Sequence, residues 1–298
     1  MDALKKAKAL LKQFHQSVLK HAFEGKLSEK WRNTHETKSV DFYLDSLKED
    51  KRRLWKGKFK EITPLDTFGL PQLPTAWKWI TLEEILESNP TSIKAGPFGS
   101  SLKKEYYVSH GYKIYGQEQV IRGDPFYGNY YIDEQRYQSL RSCSVKTGDI
   151  LITLVGTIGR ALVLPNGIEP GIINPRLAKI SVDKRFVNSN YIKSYLESSS
   201  VRHYLSTVSH GGTMEILNLG IIKRLPIPLP PLSEQEFLMK YIQHNSSMIY
   251  NLREVIQQII KYEETLYQSI LNLAFEGKLV SHDPSDEPAS LLLQKIRE

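Results

Sequence analysis

Apolar residues recur at spacings of three and four along residues 3 to 24, at Leu4, Leu10 or Leu11, Phe14, Val18, Ala22 and Phe23. That period predicts an amphipathic helix. Gly25 is placed to stop it, and Lys26 suits the negative end of the helix dipole. Residues 28 to 39 are polar and read as a loop, and a short helix is expected over about 40 to 55. From 77 to 230 the pattern shortens. YKIYG (112–116), GDILITLVG (148–156), RALVLP (160–165) and RLAKISV (176–182) are brief β-type runs bounded by Gly, Pro and Asn. Helices are predicted near 81–88 and 188–205, where Tyr191, Ile192, Tyr195 and Leu196 share a face, and a short turn of helix over 215–222. LPIPLPPLSEQ (225–235) favours extended backbone, and Ser233 is a candidate N-cap.

Between about 234 and 276 neither proline nor glycine occurs. Leu238, Asn245, Leu252, Ile259, Leu266 and Leu273 fall on one heptad position. Ile242, Ile249, Ile256 and Ile270 fall on neighbouring ones. Six heptads of this kind predict a long coiled-coil helix, whose apolar stripe needs a partner helix. Asn245 either fixes the register or marks a wetter end. The fold class expected is α+β: a mixed, strand-rich domain joined to a long helix that forms an antiparallel coiled coil, with a shorter helix at the N-terminus. The expected divisions are 1–60, 61–232 and 233–298.

The chain repeats itself. QSVLKHAFEGKL (16–27) matches QSILNLAFEGKL (268–279) at nine of twelve positions, and FYLDSLKE (42–49) lines up with LLLQKIRE (291–298). A separation of about 250 residues is too long for a solenoid period. It indicates one large duplicated module.

Charge and composition narrow the function. The net charge is +7, but residues 1–60 carry 16 basic and 8 acidic groups, 61–240 carry 19 and 17, and 241–298 carry 5 and 8. A central DNA reader must therefore cluster its cations locally. KRRLWKGKFK (51–60) interleaves Trp55 and Phe59 with six basic residues, as a nucleic-acid surface does, though a solvated helix end has the same composition. The single cysteine, Cys143, excludes an internal disulfide or a cysteine metal cluster, and no window resembles a signal peptide or membrane span. A cytoplasmic protein without cofactor or metal is expected. No dinucleotide fingerprint or P-loop occurs. VGTIGR (155–160) has too few glycines to cradle phosphate. Ser209 and His210 lack the order of a nucleophile site, and His203 and His210 read as structural or surface residues.

LPTAWKWITLEEI (73–85), VKTGDILITLVGTIGRALVLP (145–165), SHGGTMEILNLGIIKRLPIPLPPLSEQ (209–235), the closing AFEGKL and the tail DPSDEPASLLLQKIRE (283–298) occur in that order. Together they resemble the specificity (S, HsdS) subunit of type I restriction-modification enzymes. The resemblance implies a target recognition domain followed by a long helix, and double-stranded DNA as ligand. It implies no catalytic residue in this chain, since separate methyltransferase (M) and restriction (R) subunits act on the DNA. Full members carry two recognition domains whose long helices pack antiparallel. With one such domain this chain resembles a half subunit, expected to pair with an identical chain or another half. Its first AFEGKL then reads as the end of an upstream helix. A stand-alone DNA-binding protein, a coiled-coil adaptor and an enzyme in its own right are the competing readings.

Reading residues are chosen by type and predicted loop position. Lys94, Ser100, Ser101, Lys103 and Lys104 lie on the Gly-containing stretch 92–107. Gln117 and Gln119 offer amides suited to adenine. Arg160 and Arg176 follow glycine or proline turns. His210, Gly211, Gly212 and Thr213 form a tight loop suited to phosphate. Each group has an ordinary surface-loop alternative.

Overall fold

The protein is described by a computed structural model covering residues 2–54, 62–209, 217–281, 285 and 287–297. By its contacts it divides into two compact bodies. One holds residues 14–245; the other holds residues 246 onward together with those up to 13.

The chain opens with α1 (Asp2–Phe23), a single turn α2 (Glu29–Arg32) inside the stretch expected to be a loop, and α3 (Val40–Leu54). The strands β1 (Lys78–Thr81), β2 (Ile93–Ala95) and β3 (Tyr112–Tyr115) lead to α4 (Gln117–Arg122), β4 (Tyr131–Ile132) and α5 (Glu134–Ser139). Next come β5 (Ile150–Thr153), β6 (Ala161–Val163), β7 (Gly171–Ile173) and β8 (Leu177–Ile180). The remainder is α6 (Ser189–Leu196), α7 (Ser199–Ser209), α8 (Leu219–Lys223), β9 (Pro226–Leu229), α9 (Leu232–Phe275) and α10 (Ala289–Arg297).

The four-stranded antiparallel sheet β2-β8-β5-β6 lies between two cores. Strand side chains alternate between faces. Ile150, Ile152, Ala178 and Ile180 therefore enter the larger core, with α1, α3, α6, α7 and the start of α9, while Leu151 and Leu177 enter the smaller one. That second core is completed by the three-stranded sheet β4-β3-β7, in which β3 and β7 run parallel. β1 and β9 form a separate ribbon with Ile80 opposite Ile227. Two of the four residues of β9 are prolines, which its two-stranded setting tolerates. The hydroxyls of Tyr191 and Tyr195 donate to the carbonyls of Pro228 and Pro226.

Three helix expectations are modified. The segment expected at 81–88 is one 3-10 turn, Leu82–Ile85, with the Glu84 carboxylate accepting from the Thr81 amide at 2.6 Å. The segment 188–205 breaks at Ser198, because the Gln16 side chain accepts from the Ser199 amide at 2.7 Å and a new helix starts there. The short helix begins at Leu219, capped by the Asn218 side chain; positions 215 and 216 lie outside the described residues.

The long helix is continuous for 44 residues, about 66 Å. Leu238 and Ile242 belong to the chain's own larger core, and Ile249 is also buried. These three expected pairing residues are therefore not free for another molecule. Asn245 donates to the Tyr241 carbonyl four residues back at 2.9 Å. Beyond them the stripe is open. Leu252, Ile259, Leu266, Ile270 and Leu273 are exposed, and Ile256 is half-buried. In the body that holds this half of the helix, Lys8 of α1 donates to Gln257 at 3.4 Å.

Candidate nucleic-acid interface

Several strand ends meet at one edge of the larger body. β2 runs on into Gly96, β3 into Gly116, β5 into the turn 154–160, and β7 into Asn174–Pro175–Arg176. The Asn174 amide donates to Tyr115 O at 2.8 Å, and the Gly96 amide to Leu177 O at 2.9 Å. The Leu154 amide donates to Arg176 O at 2.9 Å. A Cβ at Gly96 would stand 1.9 Å from the Asn174 carbonyl oxygen, so only glycine permits this approach. The Gln117 amide donates to Val155 O and its oxygen accepts from Arg176 at 3.5 Å, tying three turns together.

The same edge collects positive charge. Arg160 closes the β5–β6 hairpin, its backbone amide donating to the Thr153 hydroxyl at 3.1 Å. A Cβ at Gly159 would lie 3.3 Å from Leu205, which seats the hairpin on α7 near Arg202. Arg202 was not singled out from the sequence. Its Nε is buried without a hydrogen-bond partner. Desolvation first, and then the charge of Arg160, hold its pKa below the usual guanidinium value. Among the described residues Arg160, Arg176 and Arg202 form no ion pair.

The other expected contacts are distributed differently. Lys94 is half-buried on β2, opposite Lys179, rather than on a loop. Ser100 and Ser101 belong to a 3-10 turn. Lys103 and Lys104 are exposed, with Lys103 3.4 Å from Glu105. Gln119 is corrected: it is 2% exposed and its amide is already used. Its oxygen accepts from the Gly116 amide and its nitrogen donates to Tyr127 O, both at 2.9 Å, which braces the turn instead of presenting a free edge to a base. His210, Gly211, Gly212 and Thr213 lie outside the described residues, as do Trp55 and Phe59. The Leu217 amide, where the described residues resume, donates to Leu154 O at 2.9 Å.

Aromatic residues paired with guanidinium groups were also missed. Arg136 lies 3.7 Å over the Tyr106 ring and Arg122 4.1 Å over Tyr127. The signal was present: eight of the sixteen tyrosines fall between 106 and 137. Behind them Lys113, 2% exposed, donates to Glu169 at 2.8 Å and to Phe126 O at 3.0 Å.

A strand-rich domain with a cationic, glycine-shaped edge, continued by a long helix, defines the general class. The sequence profile of the type I restriction modification DNA specificity domain matches residues 74–261, and the chain belongs to that family. It is similar to the EcoBI specificity subunit of Escherichia coli, 27% identical over 161 residues, covering 51% of this chain and 34% of that protein. It is also similar to the EcoAI specificity subunit of Escherichia coli, 24% identical over 349 residues, covering 97% of this chain and 55% of that protein. The chain thus spans at most about half the length of these relatives. In fold it resembles a chain from a solved type I R-M system, with a TM-score of 0.55 and 17% identity, covering 93% of this chain and 60% of that one. Among the described residues no helix is long and apolar enough to cross a membrane.

Proposed function

We propose that this chain is the DNA sequence-specificity component of a type I restriction-modification assembly. It reads one half of a bipartite double-stranded site, docks methyltransferase and restriction subunits, and performs no chemistry itself. The observation that carries the reading is the edge where four turns converge, bearing Arg160, Arg176 and Arg202, three cations that form no ion pair among the described residues. Clustered guanidinium groups repel one another until an anion lies between them, and the phosphates of DNA supply regularly spaced anions. Arg176, the exposed member, is positioned for a base edge; Arg160 and Arg202 are phosphate contacts.

The uncovered stripe from Leu252 to Leu273 supports pairing with a second half subunit through this helix. A symmetric pair reads an interrupted palindrome, because the two-fold axis of the protein is mirrored in its DNA.

The test is to express the chain with a type I methyltransferase subunit and map methylated adenines. An interrupted site, with co-purification of the two proteins, is expected. Absence of both refutes the reading. For the edge, Arg202→Gln should weaken binding to all sequences and flatten the salt slope by about one unit. Lys103→Ala with Lys104→Ala should act in the same direction. A double variant with unchanged affinity and salt slope removes that loop from the interface.

A further inference from the structure

The duplicated segments have the same local fold and opposite surroundings. In the first copy the Gly25 amide donates to Ala22 O at 3.1 Å and the Lys26 amide to His21 O at 2.9 Å. In the second, Gly277 donates to Ala274 O at 3.1 Å and Lys278 to Leu273 O at 2.8 Å. The two glycines have φ of 72° and 67°. The helix end and its glycine cap therefore have the same geometry in both copies.

Among the described residues, only the first copy is seated. Val18, Leu19, Ala22 and Phe23 are at most 7% exposed. The Phe23 ring lies edge-on to Tyr191 at 5.3 Å and to Tyr195 at 5.0 Å. The Gly25 carbonyl accepts from Arg32 at 2.7 Å, and a Cβ at Gly25 would meet Pro74 at 2.5 Å. Their counterparts are far less covered: Phe275 is 88% exposed and Ile270 42%, and Leu271 is half-buried. The second repeated stretch behaves the same way. Leu44 and Leu47 of α3 are 2% and 1% exposed, while their counterparts Leu293 and Ile296 of α10 are 58% and 73% exposed.

What differs between the copies is also informative. Lys20 and His21, which the seat leaves at the surface or half-exposed, have become Asn272 and Leu273; Asp45 has become Gln294. The buried positions keep their type as Ile270, Leu271, Ala274, Phe275, Leu293 and Ile296. Gln16, which accepts from the Ser199 amide, is matched by Gln268. The second copy thus retains the side chains a seat requires, while its described residues are largely exposed.

We propose that residues 268–279 and 291–297 of one molecule occupy, in a second copy of this chain, the seats that the second copy's own residues 16–27 and 42–48 fill in the monomer. This deepens the pairing reading given above and rests on it. The N-terminal copy acts as an internal stand-in, and assembly exchanges it for the partner's C-terminal copy. Such exchange substitutes like contacts for like, as domain swapping does. It is opposed by the high effective concentration of the tethered segment. Burial of the α9 stripe tips the balance toward the pair.

The prediction has a sign that ordinary core packing does not share. Phe23→Ala weakens the stand-in and should tighten dimerisation of the full chain in sedimentation velocity. Phe275→Ala, at an exposed position, should weaken dimerisation by roughly a hundred-fold, two seats being lost per dimer. The double variant, which weakens both occupants of the seat alike, should return dimerisation toward the wild-type affinity. If Phe23→Ala does not fold, the pair Gln268→Cys with Ser199→Cys decides: oxidation should give a disulfide-linked dimer, because Gln268 then takes the place of Gln16. A dimer that is indifferent to Phe275→Ala and does not cross-link overturns the seat and leaves helix pairing standing. A wild-type chain that stays monomeric up to high micromolar concentration overturns seat and pairing together, with DNA recognition unaffected.

Discussion

Glu234→Ala probes how the long helix is fastened to the rest of its body. The Glu234 side chain is 0% exposed in the first turn of α9, where the helix dipole favours a carboxylate. It accepts from Arg32 Nη1 at 2.6 Å and from Trp77 Nε1 at 2.8 Å. Arg32 is 18% exposed, lies 5.8 Å over the Trp77 ring, and holds Gly25 O with its other nitrogen. Removing the carboxylate leaves a largely buried guanidinium without a counter-charge. Losses of that kind run to about 3–5 kcal/mol, and the orphaned indole N–H adds about 1 kcal/mol or more. A loss near 4 kcal/mol is expected in urea unfolding followed by tryptophan fluorescence. Arg32→Met should cost a similar amount, because it strands the carboxylate instead. The double variant Arg32→Met with Glu234→Ala should cost clearly less than the sum, with a coupling of about 2 kcal/mol or more. A loss below about 1 kcal/mol for Glu234→Ala, or strict additivity in the cycle, refutes this account.

Gly96→Ala drives a Cβ onto the Asn174 backbone, which cannot yield as a side-chain tip would, and should cost about 2 kcal/mol or more while disordering the Arg176 turn. Thermal melts and DNA affinity should fall together. Lys51 donates to Glu83 O at 2.8 Å and Glu84 O at 2.9 Å, and burial pulls its pKa down to about 8. A lysine whose folded pKa is depressed penalises the folded state at neutral pH, and the penalty is relieved as pH rises from about 8 toward 10.5. Lys51→Met should therefore flatten a rise in unfolding free energy of up to roughly 3 kcal/mol across that window. Leu252→Asp with Leu266→Asp places charge on the exposed stripe and should leave circular dichroism unchanged while shifting sedimentation to the monomer; an unchanged dimer contradicts pairing through this face.

The elements legible in the sequence are those whose signal is local. α1, α3 and α9 follow from a 3.6-residue period, a stop at Gly25 and a long run free of proline and glycine. β3, β5, β6 and β8 follow from short apolar runs between breakers. β2 and β7 went unread because their partners lie some 60 to 90 residues away in sequence, whereas the equally short β6 forms a hairpin with the adjacent β5. β9 read as extended for its prolines, but nothing local indicates that it pairs with β1.

The candidate site divides on the same line. Residue type and turn placement were enough to nominate Arg160 and Arg176. They could not reveal that Gln119 turns inward, since an amide's availability depends on which backbone groups need it. Arg202 sits on a helix and carries no turn signature; its place at this edge depends on α7 lying against Gly159. The repeated AFEGKL makes the contrast plain. Sequence alone determined that both copies end a helix in a left-handed glycine cap, because that geometry is set within six residues. Only the tertiary structure decided that one copy is buried and the other bare, because burial depends on what the rest of the chain brings alongside.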